Sequence, residues 1–171
     1  MKWYALNKEY VNYLKKYDNK VPNIEYIGKL KCFLGVIFKN NGYDYFAPLT
    51  SYKPKFLTLR NNIDFYKIIG KNNGKIYGAI DINNMIPVPK LEYNEITFDN
   101  LSDFRDFSNK RERKSYWKLL QAELNCINEE ILLSKAKKLY RLVTDNPNSS
   151  LALRCCNFRL LEEKCREWIL K

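Results

Sequence analysis

Thr50 and Ser51 are followed closely by Lys53 in the segment Ala47-Pro48-Leu49-Thr50-Ser51-Tyr52-Lys53. Two adjacent hydroxyls and an ammonium stand where an apolar run gives way to a basic loop. Such groups can bind an anion and hold it in line, since hydroxyls donate hydrogen bonds and lysine supplies charge. Strand ends and the loops they support are common places for sites. On the residues alone a plainer reading is the commoner one: Thr-Ser after a strand usually bonds its own backbone in a turn. Lys31 lies just before the preceding apolar run and can approach the same loop. The chain has no histidine at all. Imidazole acid–base pairs, Ser-His-Asp and Cys-His nucleophiles and His-based metal sites are therefore excluded. Catalysis near neutral pH must use Tyr, Lys, Arg, carboxylates, hydroxyls or backbone dipoles.

The elements that must position these residues are legible from periodicity and turn signals. Trp3 to Leu6 reads as a short strand. Asn7 can cap a helix from Lys8 to about Tyr17, with Tyr10, Val11, Leu14 and Tyr17 at helical spacing. Cys32–Phe38 and Tyr43–Leu49 read as a hairpin about Asn40-Asn41-Gly42. Pro48 falls near the end of the second strand, where a missing N–H is tolerated. Thr50 to Arg60 reads as a polar, basic loop. Phe65–Ile69 and Ile76–Ile82 form a second expected hairpin about Asn72-Asn73-Gly74. Met85–Val88 is apolar, and Leu91–Phe98 reads as another strand. From Tyr116 onward an apolar stripe reaches Val143 over one or two helices, broken near Asn125 or Asn128. After the loop 145–150, Asn157 can cap a final helix to Lys171. Strands followed by helices predict α+β architecture with an antiparallel sheet.

The 171 residues fit one domain, 1–171, and 46% hydrophobic residues suffice for a core. No apolar run approaches the roughly 18 residues of a membrane span, and the first ten residues hold no secretory apolar segment. Cys32, Cys126, Cys155, Cys156 and Cys165 are odd in number and lack C-x-x-C spacing, which argues against a disulfide framework or zinc site. Reduced, mostly buried thiols in a cytoplasmic protein are the expectation. The net charge is +11. Residues 1–60 hold eleven basic and four acidic side chains and are the electropositive third. The 13 tyrosines often adjoin lysines, as in Lys15-Lys16-Tyr17, Tyr52-Lys53 and Tyr66-Lys67. Cations track phosphates and rings stack on bases, so this mixture suits single-stranded nucleic acid. A Lys/Tyr-rich composition bias accounts for it as well.

The chain resembles the ToxN/AbiQ family of type III toxin–antitoxin endoribonucleases over nearly its full length. The resemblance rests on Lys2-Trp3-Tyr4 with Tyr10 and Tyr13-Leu14-Lys15, and on Lys31-Cys32-Phe33-Leu34-Gly35-Val36. It continues through Tyr45-Phe46-Ala47-Pro48-Leu49-Thr50-Ser51-Tyr52-Lys53, Met85-Ile86-Pro87-Val88 and Cys156-Asn157-Phe158 leading into Leu161-Glu162-Glu163-Lys164. Each piece is weak, and their order and spacing make the combination specific. The AbiQ branch, an antiphage abortive-infection toxin, is nearest in resemblance. The resemblance implies a compact, twisted antiparallel sheet with surrounding helices, akin to the Kid/MazF toxins. It implies a metal-independent, cofactor-free endoribonuclease held inactive by its own repeat-derived RNA antitoxin, with cellular or phage RNA as substrate. The family's active-site positions fall on Thr50 and Ser51 as the hydroxyl pair, Lys53 in the loop, Lys31 before the strand, and Tyr10 on the helix. A ring-like toxin–RNA assembly is a further expectation.

The chemistry so implied needs neither a metal nor an enzyme nucleophile. The RNA 2′-OH attacks the adjacent phosphate and leaves a 2′,3′-cyclic phosphate and a 5′-OH. The protein must align the attack, stabilise phosphorane charge and move protons. Lys31 and Lys53 are the expected oxyanion stabilisers; if they lie close, mutual repulsion lowers one pKa. Thr50 and Ser51 would hold the phosphate or 2′-OH, and Tyr10 would orient a phosphate or stack on a base. Lys55, Arg60 and Tyr52 flank this loop as candidate RNA contacts. Lys110, Arg111 and Lys114 open the long helix, where Lys110, Lys114 and Lys118 share a face. That face suits RNA, and it equally suits an ordinary solvated helix. Without the resemblance, two other readings stay open: a non-catalytic RNA-binding module, and a protein-binding domain that uses helices 116–144.

Overall fold

A computed structural model describes residues 1–26, 29–40 and 42–170. Among them the chain forms nine strands and five α-helices. The strands are β1 (Lys2–Leu6), β2 (Glu25–Tyr26), β3 (Lys29–Leu30), β4 (Phe33–Asn40), β5 (Tyr43–Ser51), β6 (Phe65–Ile69), β7 (Ile76–Asp81), β8 (Ile86–Val88) and β9 (Tyr93–Glu95). The helices are α1 (Lys8–Lys15), α2 (Lys110–Cys126), α3 (Glu129–Asp145), α4 (Ser150–Leu153) and α5 (Phe158–Ile169). The expected α+β architecture is present, with all described strand pairs antiparallel.

The main sheet runs β6-β7-β5-β4-β1-β9, with β8 also paired to β5. The branch explains Pro48. Along one edge, β5 pairs with β8 over Asp44–Phe46 and then with β7 over Leu49–Ser51. Pro48 sits between these two stretches, so its missing N–H costs no ladder bond there. The strand therefore continues past the expected end at Leu49 and carries Thr50 and Ser51 as strand residues rather than loop residues. Tyr52 still bonds the Tyr77 carbonyl, and the chain turns through a 3-10 segment only at Pro54–Leu57.

Asparagines start the helices as expected of short polar caps. Asn7 and Asn157 cap α1 and α5, and Asn128 caps α3 after the break that separates it from α2. The second hairpin forms as read, with Gly74 at φ +63°, a conformation that favours glycine. The expected Asn41 of the first turn lies outside the described residues. The run Leu91–Phe98 yields only the three-residue β9, because a 3-10 turn occupies Lys90–Glu92. The short ribbon β2–β3 and the single-turn α4 carry too little periodicity to be read from sequence.

One apolar core joins the layers, with Trp3, Tyr10, Phe33, Tyr45, Phe46 and Phe158 among its largest fully buried side chains. The α3 helix packs on β4 and α5 on β8, while α1 packs against α5 and α2 against β6. Trp3 ties the sheet to α2 by donating to the Leu120 carbonyl at 2.8 Å. Gly35 permits a close layer, since a Cβ there would stand 2.2 Å from the Phe46 ring. No helix among the described residues is long and apolar enough to cross a membrane.

Candidate active site

The outer end of β5 opens into a cleft of about 580 Å³. Its lining comprises Thr50, Ser51, Lys53 and Leu49 from this end, and Lys31 and Cys32 from the approach to β4. Pro22, Asn23, Tyr26, Lys29 and Leu30 come from the ribbon side, and Arg105 and Tyr116 from the segment leading into α2 and from α2 itself. Four lining residues are cationic and none is acidic. Such a concave, basic surface concentrates an anionic ligand.

Four of the five expected catalytic residues meet here. Lys31 is half-buried, and its Nζ donates to the Leu49 carbonyl at 3.3 Å. Burial lowers its pKa, Asp81 opposes that fall, and Lys53 adds to it. Repulsion between the two lysines is thus present, and desolvation is the larger cause. Thr50 donates to Asp81 Oδ2 at 2.5 Å. Ser51 and Lys53 are exposed at the mouth. Asp81 ends β7, where burial raises its pKa against Thr50, Lys31, Lys53 and Lys55, which all lower it.

The structure does not bring Tyr10 to this group. Its ring is fully buried in α1, its hydroxyl donates to the Pro87 carbonyl at 2.6 Å, and its ring packs on Trp168 at 5.5 Å. Helical spacing already places Tyr10 on the inward stripe with Val11 and Leu14. Its burial leaves no surface with which to meet RNA. Tyr26 and Tyr116 are the tyrosines that line the cleft, and Tyr26, on β2, is 72% exposed.

The expected RNA contacts divide. Lys55 is exposed on the 3-10 turn, close enough to Asp81 to act on its charge. Tyr52 and Arg60 are exposed nearby but do not line the cleft. Lys110, Arg111, Lys114 and Lys118 are exposed on α2. Arg113 of the same segment is engaged by the fold: it lies 4.5 Å over the Phe98 ring and donates to the carbonyls of Phe98 and Asp99.

Sequence reading missed Asp81, Arg105, Tyr116 and Tyr26. A lone acid between Ile80 and Ile82 is a visible signal for Asp81. Arg105 and Tyr116 carry none, because tertiary contact alone brings them to β5. The Arg105 guanidinium stacks 4.2 Å over the Tyr116 ring, and its buried Nε has no partner among the described residues. Tyr116 meets Cys32 Sγ at 3.5 Å, and burial raises both of their pKa values. Among the described residues, no three Cys, Asp or Glu side chains group so as to hold a metal ion.

Comparison with known proteins fits this arrangement. An endoribonuclease ToxN of Bacillus thuringiensis subsp. kurstaki is 31% identical over 98% of this chain and 84% of its own length. An endoribonuclease AbiQ of Lactococcus lactis subsp. lactis is 29% identical over 96% of this chain and 87% of its own. A structure solved in work on selective toxin inhibition by a non-coding RNA pseudoknot superposes with a TM-score of 0.82 at 32% identity, covering 99% of this chain and 98% of that one. Residues 2–166 match the family model for toxin ToxN of type III toxin–antitoxin systems. The chain belongs to the ToxN toxin family.

Proposed function

We propose that this chain is an endoribonuclease toxin that cuts RNA in the cleft at the end of β5, without a metal. The observation that carries this reading is the convergence of Thr50, Ser51, Lys31 and Lys53 on one basic cavity, in a family whose named relatives are endoribonucleases. The RNA 2′-OH attacks the neighbouring phosphate, giving a 2′,3′-cyclic phosphate and a 5′-OH. Ser51 donates to the phosphate and Thr50 holds the 2′-OH, which fixes in-line geometry. Lys31 and Lys53 stabilise the developing phosphorane charge. Burial makes Lys31 the more acidic of its kind, which suits it to give up a proton to the leaving 5′ oxygen, while the 2′-OH proton passes to solvent, from which Lys31 is reprotonated. Tyr26 offers an exposed ring for stacking on a base.

A repeat-derived RNA antitoxin is the proposed inhibitor, occupying the cleft with a single-stranded end while Lys55, Arg60, Tyr52, Lys110, Arg111 and Lys114 grip its backbone. Heterologous contacts of this kind can close toxin and RNA into a ring. The same reading takes residues 1–171 as one domain acting in the cytoplasm, where the five free cysteines stay reduced. It also takes the sheet as a relative of the Kid/MazF toxins.

The test uses the purified chain and Ser51→Ala, both checked for folding, incubated with a defined single-stranded RNA in EDTA. Cleavage by the wild type alone, with cyclic phosphate and 5′-OH ends, is the expected outcome. Tight RNA binding without cleavage would replace this reading with a binding module.

A further inference from the structure

One carboxylate, Asp81, stands behind the cleft lining and bonds Thr50, and the reaction as described leaves it unused. We infer that Asp81 is a positioning residue of this site, accepting the hydrogen bond of the Thr50 hydroxyl and setting its negative charge against the ammonium of Lys31. This deepens the ribonuclease reading and rests on it.

The argument begins with the hydrogen bond. Thr50 Oγ1 lies 2.5 Å from Asp81 Oδ2. A carboxylate only accepts, so the hydroxyl proton of Thr50 is committed to Asp81. Thr50 lines the cleft with the lone pairs of Oγ1 remaining. It can accept a hydrogen bond, as from a 2′-OH, and cannot donate one. Ser51, one residue on, is exposed and keeps its proton for a phosphate oxygen. Asp81 thereby gives two chemically alike hydroxyls opposite roles. The strand register supports this placement. Thr50 faces Ala79 on β7, and Asp81 is two residues along from Ala79 on the same strand. That is the diagonal spacing at which cross-strand side chains meet.

The charge argument starts from the same geometry. Lys31 Nζ donates at 3.3 Å to the Leu49 carbonyl, in the peptide bond next to Thr50, whose hydroxyl donates to Asp81, so ammonium and carboxylate flank one residue. Lys31, Lys53 and Lys55 all act on the charge of Asp81. Lys31 in turn faces Asp81, Lys53 and Cys32. Arg105 and Tyr116 stand on the α2 side of the cleft, and Glu123 of α2 lies behind Gly78. Burial alone would drive the Lys31 ammonium toward its neutral form. Asp81 counters it, so Lys31 stays charged over a wider pH range.

Two variants separate the proton from the charge. Asp81→Asn keeps an acceptor for Thr50 and removes the charge. Asp81→Ala removes both. Lysine side-chain resonances are followed by NMR against pH in RNA-free protein, with Lys31 assigned through Lys31→Arg. Single-turnover cleavage is measured over the same range. Asp81→Asn should move the Lys31 titration, and the alkaline limb of cleavage, about one pH unit lower. Asp81→Ala should in addition lose about 100-fold in rate at every pH, as Thr50 is no longer oriented. If Asp81→Ala fails to fold, Thr50→Val, which removes the hydroxyl that Asp81 receives, carries the same expectation. A Lys31 titration unmoved in Asp81→Asn, or a wild-type rate in Asp81→Ala or Thr50→Val, overturns the inference. If the wild type cuts no RNA while the Lys31 titration still moves, the ribonuclease reading fails and the Asp81–Lys31 pairing stands.

Discussion

Glu162 and Glu123 are both buried carboxylates on helices, and their surroundings differ. Glu162 Oε1 on α5 accepts from Tyr45 at 2.8 Å, Tyr140 at 3.0 Å and Asn40 at 3.1 Å. Three other buried acids away from the cleft are likewise bound, Asp44 by Lys39 at 3.0 Å and Tyr93 at 3.4 Å. Asp18 accepts the backbone N–H groups of Lys20 and Asn157, and Asp64 pairs with Arg154. Glu123 on α2 lies behind the strands that form the cleft, and its Oε2 has no partner among the described residues. Asp81 depends on a single hydroxyl, and Arg105 leaves Nε unpaired. Buried polar groups that are satisfied hold a structure in one arrangement. The region around β5's outer end forgoes that satisfaction. It keeps donors in reserve, the Arg105 Nε and the exposed Ser51 hydroxyl and Lys53 ammonium, as a site that receives a polyanion must.

The largest effects should fall on the reserved side. Lys53→Ala and Lys31→Ala should each reduce single-turnover cleavage by about 10²- to 10³-fold, the scale of losing a group that stabilises transition-state charge. Lys53→Ala should leave the thermal midpoint unchanged, since Lys53 is exposed. A cleavage loss matched by unfolding would erase the distinction between the two regions.

Glu123 sharpens the contrast through pH. Burial pushes its pKa up from 4.5 to about 7. The folded state then holds a proton that the unfolded state releases above about pH 4.5. Stability attributable to this group falls as pH rises from about 4.5 to 7, by roughly 3 kcal/mol, and is flat beyond. Glu123→Gln should therefore match the wild type at pH 4 and exceed it at pH 8. Denaturant titrations at both pH values check this; equal stabilities at pH 8 would show Glu123 to be satisfied after all.

The bound side should give a smaller and purely structural effect. Tyr45→Phe removes one of three donors to Glu162 and should cost about 1 kcal/mol of stability with cleavage unchanged. The smallest effect belongs to the α2 face. Lys110→Ala and Lys114→Ala should each flatten the dependence of log Kd on log salt by about 0.7 for single-stranded RNA. An unchanged slope would return that face to ordinary solvation.

Which parts of this were legible follows from how local each signal is. Asn7, Asn128 and Asn157 announce helix starts because a cap is satisfied within three residues. Thr50, Ser51 and Lys53 are adjacent, so one strand end delivers them together. Pro48 by itself signals only a nearby strand end; that it marks a change of partner from β8 to β7 needs the whole sheet to see. Tyr10 shows resemblance and periodicity in conflict: its helical spacing pointed inward, and inward is where it lies. Tyr26, Arg105 and Tyr116 reach the cleft from three separate stretches of chain, and no spacing rule joins them to Thr50.

The central claim is that chemistry resides at the outer end of β5 and that the buried tyrosine of α1 serves the core. One single-turnover comparison tests it, with wild type, Ser51→Ala and Tyr10→Phe on the same single-stranded RNA in EDTA. The account predicts a loss of at least about 100-fold in Ser51→Ala. It predicts a rate within about twofold of wild type in Tyr10→Phe, with stability lower by about 1 kcal/mol for the lost bond to Pro87. A folded Ser51→Ala that cuts as fast as the wild type, or a stable Tyr10→Phe that does not cut, would contradict it.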